Sequence, residues 1–174
     1  DTSNTRIQLE PNKCILCGRC ITMCTEVMHV GALGFIGRGF ETILQPTLGR
    51  PLVESPCISC GSCVEACPSG AFTFREPCDM VDAQHDLPST CTLCGLGCEI
   101  RVRDTSFGPS IRAPRDEQGV LSPICALGRF GNRALLGDAR LKHPMIRNDA
   151  GEFVQASWDE ALTVAVSGMR HVVA

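Results

Sequence analysis

Apolar and polar residues alternate only in short bursts along most of this chain, and one long period appears at its end. Thr5–Leu9 alternates as an opening strand and is followed by the turn residues Glu10-Pro11-Asn12. Residues 19–27 read as a short helix. A glycine-rich connection over 25–56 leaves room for small strands at Leu33–Ile36, Glu41–Leu44 and Leu52–Val53, and Ala71–Phe74 alternates like an edge strand. Residues 79–90 are polar and read as a linker, and Glu99–Val102 with Ser110–Ala113 reads as a hairpin whose turn lies near Phe107-Gly108-Pro109. The final stretch differs. Ser157-Trp158-Asp159-Glu160 is a capping box, and Trp158, Ala161, Leu162, Ala165, Val166, Met169 and Val173 recur at helical spacing behind it. No apolar run approaches the ~20 residues that a membrane-spanning helix needs.

These fragments predict an α+β, loop-rich fold with little conventional core. Composition sharpens the point: 174 residues hold seven Phe, one Trp and no Tyr, against 17 Gly and 11 Pro. A chain so poor in large side chains needs staples other than packing. Its 13 cysteines are the obvious ones.

Twelve of them fall into three groups of four. Cys14, Cys17, Cys20 and Cys24 repeat as Cys57, Cys60, Cys63 and Cys67, with Pro68 following, after an offset of 43 residues. The spacing C-x2-C-x2-C-x3-C is the bacterial ferredoxin pattern, whose fourth cysteine ligates the other cluster. The expected ligand sets are therefore crossed: Cys14, Cys17, Cys20 and Cys67 for one four-iron (4Fe–4S) cluster, and Cys57, Cys60, Cys63 and Cys24 for a second. Gly18 and Gly61 occupy matching places in the two loops, where they can leave room for a cluster. Cys91, Cys94, Cys98 and Cys125 form a third quartet. Zinc is an alternative for that group, as C-x2-C pairs often bind it, but its neighbours favour a third four-iron cluster. Six disulfides would consume as many thiols, yet cysteines only three positions apart bridge with strain. Cys78 is left over and reads as a small buried apolar residue. With three complete quartets, His29, His85, His143 and His171 are not needed as ligands.

Charge is uneven although the total is only −3: residues 1–98 carry −4, residues 99–147 carry +4, and the remainder −3. The basic middle reads as a solvated surface, with a docking face for an anionic cofactor or acidic partner as the alternative. It lacks interleaved aromatics, so nucleic acid is not an expected partner.

Residues 1–80 resemble the double-cluster segment of NAD-dependent formate dehydrogenases, with related segments in iron-only hydrogenases and the large iron–sulfur subunit of NADH dehydrogenase. The resemblance rests on Lys13-Cys14-Ile15-Leu16-Cys17-Gly18-Arg19-Cys20, Arg38-Gly39-Phe40 and Cys67-Pro68-Ser69-Gly70-Ala71. Residues 88–174 resemble the N-terminal cluster domain of molybdopterin oxidoreductases, through Cys94-Gly95-Leu96-Gly97-Cys98, Gly128-Arg129, His143-Pro144-Met145-Ile146-Arg147 and Ser157–Leu162. One departure stands out: the family's usual Cys-x-Lys-Gly has Leu127 where the lysine between cluster and pterin would stand. The upstream two-iron domain of the family and its pterin-bearing domain are not in the sequence either.

The resemblance implies a double-cluster ferredoxin domain over 1–80, a third cluster domain over 81–147, and a helix with its lead-in over 148–174. The expected function is electron transfer within a larger redox complex of formate dehydrogenase-like type. The expected cofactors are three four-iron clusters, with no molybdopterin and no catalytic residue on this chain. Expected partners are flavin- or NAD-binding or hydrogenase-type subunits, with ferredoxin as a further candidate, in the cytoplasm. The runner-up is the N-terminal part of a molybdenum- or tungsten-dependent formate dehydrogenase, and a zinc-stapled adaptor is the alternative from another class.

Overall fold

The computed structural model describes residues 1–75, 85–106, 108–131 and 140–173, together with all side chains in those ranges except that of Val173. Cys78, Phe107 and the Val173 side chain lie outside the described residues. The chain forms two compact units, residues 1–134 and 135–174.

The first unit is closed by its two ends. Strand β1 (Ile7–Leu9) pairs antiparallel with β4 (Phe72–Phe74), Ile7 opposite Phe74 and Leu9 opposite Phe72. Their inward residues Ile7, Leu9 and Phe72 are almost fully buried and meet Leu33, Leu44 and Leu52. Between the strands lie helix α1 (Arg19–Thr22), the hairpin of β2 (Leu33–Ile36) and β3 (Ile43–Pro46), and helix α2 (Ser62–Ala66). Helix α1 runs on into a five-residue π-turn, Met23–Val27, so the helix expected over 19–27 is present in two pitches. Cys14, Cys24, Cys57, Cys63 and Cys67 pack against this core from outside. Few large side chains suffice because the sulfurs form its outer layer.

Three local expectations need correction. Strand β3 begins two residues later than expected, because Gly39–Glu41 coils into a 3-10 turn first. Leu52–Val53 belongs to a 3-10 turn, Leu52–Glu54, instead of a strand. Its backbone donors turn away from any sheet: Leu52 N–H donates to Asp1 Oδ2 at 2.7 Å and Val53 N–H to Ser3 Oγ at 3.2 Å. The end of the expected linker is a strand, β5 (His85–Thr90), exposed throughout and held by antiparallel pairing with β6 (Glu99–Thr105). Strand β6 also pairs with β7 (Gly108–Arg112), which is the expected hairpin with longer arms. Asp86 on β5 ties the sheet together, accepting from Arg101 Nε at 2.8 Å and Arg103 Nε at 3.2 Å.

A second core, Ile100, Ile111, Leu121 and Ile124, lies under this sheet and also buries Met23 and Cys91. Met23 comes from the first cysteine run, so the two parts of the unit share a core. Helix α3 (Ala126–Phe130) follows Cys125, and the Phe130 ring meets Phe74 edge-on at 5.7 Å.

The second unit holds a hairpin of β8 (Met145–Arg147) and β9 (Phe153–Gln155), then helix α4 (Trp158–Val173). The capping box forms as expected. Glu160 N–H donates to Ser157 Oγ at 3.2 Å while Ser157 N–H donates to Glu160 Oε2 at 2.8 Å. Hydrogen bonds from Ser157 N–H and from the Ser157 hydroxyl hold the Glu160 carboxyl below the usual carboxylate range. Trp158, Leu162, Val166 and Met169 are all exposed on α4.

Candidate metal centres

The two ferredoxin-type loops repeat in backbone as well as in sequence. Leu16 and Ser59 adopt φ of 58° and 54°, and Gly18 and Gly61 adopt 75° and 80°. Left-handed residues at the second and fourth places after the first cysteine wrap each loop into a bowl. In each bowl an amide turns onto sulfur: Leu16 N–H donates to Cys14 Sγ at 3.4 Å and Ser59 N–H to Cys57 Sγ at 3.4 Å. Such bonds orient ligands and tune the metal they hold.

The fourth cysteine of each run lies beyond its loop. Cys24 sits in the π-turn and accepts from Ala32 N–H at 3.3 Å. Cys67 ends α2 beside Ser69 Oγ at 3.6 Å. The charge neighbours of Cys20 are Cys67, Cys14 and Cys17. Those of Cys63 are Cys60 and Cys57, then Cys20 and Cys24. A cavity between the loop and the core is lined by Cys24, Cys57, Cys60 and Cys63 together, with Ile7, Leu33 and Leu52 behind them. Ser62, 2% exposed, also lines it, and among the described residues its Oγ has no hydrogen-bond partner. An orphaned buried hydroxyl beside four thiols fits a cavity meant for a group that accepts hydrogen bonds, as cluster sulfides do.

Burial pushes the Cys20 thiol up to about 12, with the neighbouring sulfurs adding to it. Burial likewise raises Cys63 well above the ordinary thiol range, and raises Cys24 and Cys57. Cys67 goes the other way. Burial acts to raise it, but hydrogen bonds from Phe72 N–H, Ser69 and Ala71 outweigh that and lower it. Metal ligation requires the thiolate, so binding iron at Cys20, Cys24, Cys57 and Cys63, whose thiols burial raises, releases protons.

In the third group, Cys91 N–H bonds the Cys98 carbonyl at 2.8 Å, closing the loop that carries Cys94. Cys125 caps α3, its Sγ accepting from Gly128 N–H at 3.3 Å. A Cβ on Gly128 would be in ordinary van der Waals contact with both Cys91 Sγ at 3.5 Å and Cys125 Sγ at 3.8 Å, so the two sulfurs flank one point. Cys91 is buried, Cys98 half-buried, and Cys94 and Cys125 exposed. Leu127, at the place of the family's lysine, is 54% exposed. Among the described residues no group of three or more His, Cys, Asp or Glu side chains is arranged to hold a single metal ion. A cubane asks for a different arrangement, one thiolate on each iron, spread around the cluster. His29, His85, His143 and His171 are all exposed.

Sequence reasoning missed the residues joining the second group to the third. Glu65, between Cys63 and Cys67, has a side chain 4% exposed that meets Arg129, 2% exposed, at 2.8 Å (Nη1–Oε1) and 2.9 Å (Nη2–Oε2). Ala113 N–H donates to the same carboxylate, and Arg112 Nη1 lies 3.6 Å from it. These arginines belong to the basic stretch read as solvated surface. Arg129 instead neutralises an acid of the first cysteine repeats' half, and the opposite charges of residues 1–98 and 99–147 were the available signal. Breaking such a buried pair from one side costs about 3–5 kcal/mol.

The family model described as the ferredoxin-like domain of NADH-quinone oxidoreductase subunit 3 matches residues 4–73, and that of molybdopterin oxidoreductase matches residues 140–174. The chain is thus similar to one family over residues 4–73 and to the other over residues 140–174. An NADH-quinone oxidoreductase subunit of Rhizobium meliloti is 37% identical over 163 residues, covering 89% of this chain and 18% of that protein. The alpha subunit of NADPH-Fe(3+) oxidoreductase from Geobacter sulfurreducens is 32% identical over 175 residues, covering 97% and 19%. A Staphylococcus haemolyticus protein described provisionally as a formate dehydrogenase is 26% identical over 205 residues, covering 94% and 21%. The chain thus spans about a fifth of the length of these relatives. Among the described residues no helix is long and apolar enough to cross a membrane.

Proposed function

We propose that this chain is an electron-transfer iron–sulfur segment of a multisubunit oxidoreductase, and that it holds three four-iron clusters. The observation that carries the reading is the cavity lined jointly by Cys24, Cys57, Cys60 and Cys63, which joins the fourth cysteine of one run to the first three of the other. Cys67, Cys14 and Cys17, the charge neighbours of Cys20, support the reciprocal set. Cys91, Cys94, Cys98 and Cys125 hold the third cluster, and the Cys91 and Cys125 sulfurs flank Gly128 together. When bound, each cluster takes up and gives away one electron, and this chain's residues hold, bury and hydrogen-bond it. Thiol ligands of this kind belong in a reducing compartment such as the cytoplasm. Subunits carrying flavin, NAD or a hydrogenase-type centre, or a ferredoxin, are the partners proposed to supply or take the electrons.

Purified without oxygen, the chain is expected to hold about twelve iron, in three four-iron clusters, with brown absorbance that bleaches on reduction. Stoichiometric zinc with little iron would sink the reading. A second reading has its own support. The molybdopterin oxidoreductase match over residues 140–174 favours a chain leading into a pterin-binding catalytic subunit of formate dehydrogenase type, whereas Leu127 in the lysine's place favours a conduit without pterin. Molybdenum and tungsten analysis of the native protein, beside formate oxidation, separates the two.

A further inference from the structure

Arg129 stands where the second and third cysteine groups meet. Its Nε donates to the Cys60 carbonyl at 2.6 Å, and its Nη1 lies 3.4 Å from the Ile111 carbonyl. Glu65 takes the other edge of the guanidinium in a two-pronged pair, the geometry that fixes orientation as well as contact. On its own helix, Arg129 N–H bonds the Cys125 carbonyl at 3.0 Å, and the preceding Gly128 N–H bonds Cys125 Sγ. One residue is thereby tied to a ligand of each group. Packing leaves it no slack, since a Cβ on Gly61 would come within 2.8 Å of Arg129 Cδ.

Glu65 faces both Arg129 and Arg112, and its carbonyl accepts from Arg115 Nη2 at 3.1 Å. Buried charge acts strongly where the surroundings screen little. A cluster gains one negative charge on reduction, so nearby positive charge favours the reduced form and negative charge opposes it.

We propose that Arg129, held by Glu65, is the positioning residue that sets both the spacing and the relative potential of the second and third clusters. The inference rests on the three-cluster reading and adds which residues couple two of the sites. Its distinguishing consequence is one of sign. If the pair merely braced the fold, removing either partner would loosen the protein in the same way. If it sets potential, removing the cation and removing the anion shift the potential in opposite directions.

The test uses the full chain loaded with iron, titrated anaerobically with dithionite and followed by electron paramagnetic resonance. Arg129→Met is expected to lower the midpoint of the second or third cluster and to weaken the magnetic interaction between them. Glu65→Gln is expected to raise the midpoint, and Arg129→Lys, which keeps charge without the fork, to restore most of the potential but less of the interaction. Shifts of the same sign in Arg129→Met and Glu65→Gln, or no shift in either with iron intact, overturn the inference. Should Arg129→Met fail to retain iron, Glu65→Gln decides: an upward shift supports the inference and an unmoved midpoint overturns it. An unsubstituted chain without iron overturns the functional reading and the inference with it. A fully loaded chain with unmoved potentials overturns the inference alone.

Discussion

The cysteine loops at Cys14–Cys20 and Cys57–Cys63 have the same backbone, left-handed at Leu16 and Ser59 and again at Gly18 and Gly61, but very different surroundings. In the first, Ile15 is 65% exposed and Cys17 is open to solvent. Among the described residues, a Cβ on Gly18 would have within 4 Å only the Phe35 ring, at 3.9 Å. In the second, Gly61 lies beneath Phe74 and Arg129, at 2.6 Å and 2.8 Å from where a Cβ would stand, and Ser62 behind it is buried. The comparison teaches that the repeat supplies the bowl while its neighbours supply the role. An open bowl suits exchange with a partner, and a covered bowl suits relay within the chain.

The largest expected effect tests whether the bowls are linked at all. Cys24→Ser should cost the covered bowl its cluster, about four iron, while leaving the Cys14–Cys20 bowl loaded, and Cys67→Ser should do the reverse. Iron analysis with electron paramagnetic resonance reads both. Loss from the Cys14–Cys20 bowl in Cys24→Ser would show that each run serves itself. The next effect separates cover from no cover. Gly61→Ala adds a methyl group against Phe74 and Arg129 at a left-handed residue, costing roughly 2–5 kcal/mol and putting the second cluster at risk. Gly18→Ala at the equivalent place should cost only about 1–2 kcal/mol and keep full iron. Equal losses on thermal unfolding would erase the distinction between the bowls.

The bowls themselves were legible in the sequence because cysteine spacing and two glycines dictate them locally. So was the α4 start, since the Ser157–Glu160 box closes within one turn. What covers a bowl was not legible. Glu65 looked like filler between Cys63 and Cys67, and Arg129 like a motif letter, and only a fold that brings residues 64 apart into contact gives them meaning. Strand β5 escaped for a related reason. Its six residues are exposed on both faces and contain Pro88, so no period marks them, and the pairing partner β6 makes the strand. The 3-10 turn at Leu52–Glu54 depends on Asp1 and Ser3, some fifty positions away.

The finest comparison lies at the two left-handed residues that are not glycine. Leu16 and Ser59 carry the same backbone strain, about 1–2 kcal/mol for an L-residue at positive φ, so glycine should relieve both alike. Glycine also loses more chain entropy on folding, about 0.5–1 kcal/mol, which offsets much of that relief. Leu16→Gly is therefore expected to be close to neutral, since the Leu16 side chain is 43% exposed. Ser59 has a further task. Its Oγ accepts from Asn4 Nδ2 at 2.8 Å, and Asn4 is 4% exposed, with its Oδ1 fixing the turn before β1 through Arg6 and Ile7 N–H. Ser59→Gly strands that amide without an acceptor, at about 1–3 kcal/mol. Unfolding midpoints of the two loaded variants should thus differ in the same direction as Gly61→Ala and Gly18→Ala, by a smaller margin. If Ser59→Gly proved as neutral as Leu16→Gly, the second bowl would owe its cover to Arg129 and Phe74 alone, and the link to Asn4 would carry no weight.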